Sequence, residues 1–111
     1  MNLYDSWPNF LYKILSIENW EESQKGHRLK VDLSEDAFIH LSMEDQLGRI
    51  ASKYWKDIDR YVILTINPEY LVGRLVFEAN PGGSVKYYHL YNGFIPIESI
   101  AKSQIIEREG F

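Results

Sequence analysis

Asn80-Pro81-Gly82-Gly83-Ser84 is the strongest turn signal in this chain, and it stands between two runs with strand character. On its N-terminal side, Arg74 to Ala79 alternates: Leu75, Phe77 and Ala79 share one face, Arg74, Val76 and Glu78 the other. On its C-terminal side, Lys86 to Tyr91 is a run of aromatic and apolar residues. Two such runs joined by a glycine loop read as an antiparallel hairpin. A hairpin alone is marginal in water, so the rest of the chain must supply more strands and a cover for the apolar face.

The cover is written at 43–55. Leu47, Ile50, Ala51, Tyr54 and Trp55 follow the spacing of one helical face, with Ser42 as N-cap and Glu44 and Asp45 in the first turn. Further strands are expected at 10–16, 37–41 and 101–109, and a central one at 60–66, where β-formers run almost without interruption. Ile105 and Ile106 are the expected buried pair of the last strand. Ser16 can cap a short helix to about Gln24 anchored by Trp20; residues 25–36 read as a loop; Pro68 opens a helical turn; Asn92-Gly93 reads as another turn, and a last helical turn falls within 95–100. The sum is one α+β domain over 10–111, preceded by an arm at 1–9 pinned by Trp7-Pro8. Its sheet has five or six mostly antiparallel strands and can be split, with one long and one short helix.

A chain of 111 residues is long enough to bury its own core. Its net charge of −4, with Lys and Arg scattered rather than striped, disfavours nucleic-acid binding through phosphate neutralisation. The lack of cysteine removes disulfides, thiolate metal sites and cysteine nucleophiles. No apolar run approaches the roughly 20 residues of a membrane helix, and the N-terminus lacks the basic start and apolar stretch of a secretory signal. A bacterial cytoplasm is the expected location. No metal is expected, because the three histidines lack ligand spacing. A Gly-x-Ser-x-Gly elbow is also missing.

Three residues hold the chemical interest. His40 lies in Phe38-Ile39-His40-Leu41-Ser42; if Ile39 and Leu41 face the core, His40 and Ser42 face away with Phe38. It is either a structural histidine or a ligand-binding group near the start of the main helix. His89 shares a strand face with Tyr87 and Tyr91, opposite Tyr88 and Leu90. That face is either a packed aromatic layer or a stacking wall for a planar ring. Glu78 is either a solvent-facing acid beside Arg74 or the partner of His89 across the hairpin, able to do acid–base work or to stabilise a developing cation.

The succession Tyr12-Lys13-Ile14, Trp20, Phe38-Ile39-His40-Leu41-Ser42, Gln46, Phe77-Glu78 and His89-Leu90-Tyr91 resembles the small bacterial proteins of the domain of unknown function 952 family, over about residues 10–108. Tyr88 stands where members often have proline, and Asn92 intervenes before a glycine that often follows the tyrosine directly. The resemblance implies a fold similar to ADP-ribosyltransferases, which bind NAD in the cleft of a split antiparallel sheet. It implies a nucleotide ligand, with His40 at a ribose hydroxyl, a tyrosine stacked on a ring and Glu78 facing the ribose carbon; the candidate ligand-binding residues are His40, Ser42, Tyr12 and Tyr91, and the candidate catalytic ones Glu78 and His89. The alternative is a non-catalytic module that binds a small molecule or a protein in the same cleft.

Overall fold

A computed structural model describes residues 8–31 and 38–107. The Trp7 side of the arm, Ala37 at the start of the second strand, and the end of the last strand beyond Glu107 lie outside the described residues. Six strands form two antiparallel sheets of three. In chain order they are β1 (Leu11–Leu15), β2 (Phe38–Leu41), β3 (Arg60–Ile66), β4 (Val72–Ala79), β5 (Lys86–Phe94) and β6 (Ile100–Glu107). One sheet has the order β1-β3-β6, the other β2-β5-β4. The two helices are α1 (Ile17–Ser23) and α2 (Leu47–Tyr54), and 3-10 turns precede α2, follow β3 and precede β6.

The sheets meet at one seam. Tyr12 and Ser42 exchange backbone hydrogen bonds of 2.8 and 2.9 Å, so β1 of the first sheet runs against the end of β2 in the second. Leu11, Leu15, Leu29, Ile39, Leu41, Val62, Leu64, Ile66, Leu90 and Ile95 form a single core cluster drawn from both sheets. β3 supplies most per residue because it is the central strand of its sheet: Val62, Leu64 and Ile66 are fully buried. Trp20 packs against this cluster from α1. The Ser16 hydroxyl accepts from the Asn19 N–H at 3.1 Å, the expected cap. Further on, the buried Ser23 hydroxyl donates to Asn19 O at 2.6 Å and accepts from Lys30 N–H at 2.7 Å. That tie, with the Leu29 N–H bonded to Ile95 O at 2.8 Å, carries Leu29 into the core from a segment expected to be plain loop.

Four expectations need correction. The main helix begins one residue late: Ser42 is engaged by Tyr12, Met43 is the capping residue, and a 3-10 turn (Glu44–Gln46) leads into α2. Gln46 ties the start down, its Oε1 accepting from the Met43 N–H at 2.9 Å and its Nε2 donating to Lys86 O at 2.9 Å. Tyr54 leaves the helix's apolar face and is 64% exposed. Ile105, expected inside, is 51% exposed because β6 is the outer strand of its sheet.

The fourth correction concerns Asn92-Gly93, which does not end the strand. β5 continues to Phe94 through a bulge, with Asn92 in the left-handed region at φ 52° and a register shift opposite Val72–Arg74. Asparagine tolerates that conformation better than most residues. The two backbones come very close here. A Cβ on Gly93 would lie 1.7 Å from the Val72 carbonyl oxygen, and one on Gly73 would lie 2.6 Å from Tyr91 O. Among the described residues no helix is long and apolar enough to cross a membrane.

Candidate functional site

The β2–β5 register sets His40 directly opposite His89 and Phe38 opposite Tyr91. On the other side of β5, Val76 faces His89 and Glu78 faces Tyr87. Glu78 is therefore the diagonal neighbour of His89, within reach of a long side chain. Distant parts of the chain meet on one face of one sheet.

His89 is the hub of that face and is fully buried. Its Nδ1 lies 2.8 Å from Glu78 Oε2, and its Nε2 lies 2.8 Å from Asn80 Oδ1. Phe38 stacks on the imidazole with centroids 4.0 Å apart and planes 23° from parallel. The His40 ring meets it edge-on at 5.0 Å and touches Phe38 at 4.8 Å. The Tyr91 hydroxyl donates a short hydrogen bond to the same Glu78 oxygen, while the Arg74 guanidinium sits 4.9 Å over the Tyr91 ring. Arg74 is thus placed on the ring rather than bonded to the carboxylate beside it.

The Tyr91 hydroxyl first, and the His89 ring second, hold the Glu78 carboxyl below its ordinary value of 4.5. The sign follows. The unfolded chain takes up the proton at higher pH than the folded one, so the stabilisation is complete above about pH 4.5. It is lost as pH falls through the lowered folded value. In Glu78→Gln the acid limb of a plot of stability against pH is expected to be shallower than in the wild type. Parallel acid limbs in urea titrations of the two proteins would show that the carboxylate is not bound this way.

A cleft of about 800 Å³ opens beside this cluster. Its walls come from the end of β1, the start of α1, the end of β2, α2 and the 80–85 loop. His40 and Ser42 line it, and so does Asn80, which joins it to the hub. Gly82, with φ +79°, gives the loop its turn there. Glu78, His89 and Tyr91 do not line the cleft; His89 is joined to it through Asn80 and His40, and the Glu78 side chain is 36% exposed. Tyr12 lies at the seam between the sheets, where its hydroxyl donates to Glu44 at 3.0 Å. Burial, then that contact with Glu44, raises its phenol above the usual range.

Asn80 was hidden in the sequence inside a turn signal, because turn chemistry alone explains an asparagine there. Lys13, Arg49 and Lys53 also line the cleft, and the last two carried no signal as scattered cations. Lys13 donates from Nζ to His40 O at 2.8 Å and so braces the β2 backbone at the site. Among the described residues no group of three or more His, Asp or Glu side chains is placed to hold a metal ion.

The fold and site define a class: a small α+β domain of two three-stranded antiparallel sheets, with a polar cleft joined to a His–Glu–Asn–Tyr network. The chain belongs to the family described as "Protein of unknown function (DUF952)", whose model matches residues 14–103. It is similar to protein CC0527 from Caulobacter crescentus, a structural genomics target. The crystal structure of that protein has 27% identity and a TM-score of 0.77, over 91% of this chain and 89% of that one. Its solution NMR structure gives the same identity and TM-score over 93% and 89%. No curated protein matches the chain.

Proposed function

We propose that the cleft binds a nucleotide of the NAD type and that the domain is ADP-ribosyltransferase-like. The observation that carries this reading is the cleft itself: about 800 Å³, bordered by both sheets, with the polar residues His40, Ser42 and Asn80 in its lining. The division of the strands into two antiparallel sheets agrees with the split sheet that the resemblance implies. In this reading His40 and Ser42 meet ribose hydroxyls and Tyr87 offers a ring at the wall. Glu78 supplies a fixed negative charge beside the cleft, which favours a sugar carbon becoming cation-like as nicotinamide leaves. His89 positions Asn80 and His40 and orients the carboxylate.

Calorimetry with NAD tests the binding. Saturable heat is expected, with affinity about tenfold lower in His40→Ala, the loss of roughly one hydrogen bond. Absence of heat at millimolar NAD would end the nucleotide reading. A second reading is favoured by one observation: Glu78 and His89 are satisfied by each other, by Tyr91 and by Asn80 rather than turned to the cleft. On that view the network is a rigid floor, and the domain is a binding module without turnover. Released nicotinamide from the wild type and none from Glu78→Gln supports the enzyme; ligand bound without product supports the module.

A further inference from the structure

The cleft carries a charge bias opposite to that of the protein. The chain has 16 acidic and 12 basic residues, yet no Asp or Glu is among the described residues lining the cleft, whereas Lys13, Arg49 and Lys53 are. Arg49 and Lys53 are one helical turn apart on α2, so both project on the same side of the helix. Both are exposed, and among the described residues no carboxylate pairs with either. Lys53 Nζ rests 5.2 Å from the Tyr54 ring, and that ring also lines the cleft. Two cations thus share a cleft that has no carboxylate among its described lining residues and that His40 and Asn80 also line.

We infer that the α2 wall of the cleft is an anion subsite, in which Arg49 and Lys53 hold the diphosphate of a nucleoside diphosphate whose ribose lies toward His40. Arg49 supplies a planar fork that matches two phosphate oxygens, and Lys53 supplies a second, mobile charge. Lys13, fixed against the His40 carbonyl and also lining the cleft, adds positive potential. The inference deepens the nucleotide reading and rests on it for the identity of the ligand, but the anion subsite has its own test.

Inorganic pyrophosphate is the probe for the subsite and NAD the probe for the whole cleft. Binding of each is measured by calorimetry to the full chain, to Arg49→Ala/Lys53→Ala, to His40→Ala, and to Lys30→Ala/Lys102→Ala as a control for general surface charge. All five changes fall at exposed or half-buried positions, and thermal melts verify that the variants are folded. Pyrophosphate is expected to bind the wild type and the control alike, with affinity about tenfold or more lower in the Arg49/Lys53 variant and unchanged in His40→Ala. Raising the salt concentration should weaken it. NAD should be weakened by both site variants. Pyrophosphate that fails to bind the wild type, or binds the control as weakly as the Arg49/Lys53 variant, overturns the subsite. NAD bound equally by wild type and the Arg49/Lys53 variant also overturns it, and leaves the nucleotide reading standing. Pyrophosphate bound as expected without any binding of NAD supports the subsite and removes that reading.

Discussion

Gly93→Ala is expected to destabilise the domain by roughly 3–5 kcal/mol, among the largest effects a single methyl group can have. The cause is geometric. The new Cβ would sit 1.7 Å from the Val72 carbonyl oxygen, 2.5 Å from its carbon and 2.6 Å from Gly73 Cα. All three are backbone atoms, so no side chain can turn aside. Relief requires β4 and β5 to separate at the bulge, next to the Arg74–Tyr91 pair in the ladder. The damage should then spread to the Tyr91–Glu78 contact. Gly48→Ala is the contrast. Gly48 lies inside α2 with nothing within 4 Å of a Cβ, and alanine there should stabilise by up to about 1 kcal/mol. Urea unfolding of the two variants checks both signs. A loss below about 1 kcal/mol in Gly93→Ala would mean that the bulge is not packed this tightly.

His89→Ala should cost roughly 3 kcal/mol and lower the melting temperature by on the order of 10 °C. Two losses combine. The buried ring leaves a cavity against Phe38, whose face it covers at 4.0 Å. Glu78 and Asn80 lose the partner that holds both. Tyr91→Phe removes only the hydroxyl bond to Glu78 and should cost about 1 kcal/mol. The comparison isolates the role of the hub: equal melting temperatures for the two variants would show that the imidazole is not what joins the network. Ligand affinity should fall further in His89→Ala than in Tyr91→Phe, because Asn80 and His40 are the members that reach the cleft.

Much of this architecture was legible because it is local. The hairpin around Asn80–Ser84 needs only alternation and a glycine turn, and both strands cover those runs, with β4 starting at Val72 and β5 continuing to Phe94. β3 reads as central from its continuous β-formers, and the Ser16 cap from one residue type in front of a short apolar-anchored segment. The division into two sheets was less accessible, since pairing partners are chosen by long-range packing. Nothing between residues 38 and 91 states that β2 forms its ladder with β5 and meets β1 only at its end. That one choice brings His40 to His89.

The site was legible in its members but not in its layers. Both histidines and Glu78 stood out as polar groups in apolar strands. Sequence could not show that His89 is sealed with Glu78 beside it while His40 reaches the cleft, because burial depends on what covers a face. Asn80 was masked by its own turn signal, and the cations of α2 by the even scatter of charge along the chain. Gly93 was misread for a related reason. Asn-Gly marks positive φ equally well at a turn and at a bulge, and only the partner strand distinguishes them.

A two-dimensional NMR titration of the full chain with NAD decides whether the cleft is a nucleotide site. Saturable shift changes confined to the cleft are expected, at His40, Ser42, Asn80 and Gly82 and at Arg49 and Lys53 on α2, with β6 unmoved. Spectra that stay unchanged to millimolar NAD, or shifts that gather on β6 and leave His40 and Asn80 untouched, would contradict that reading.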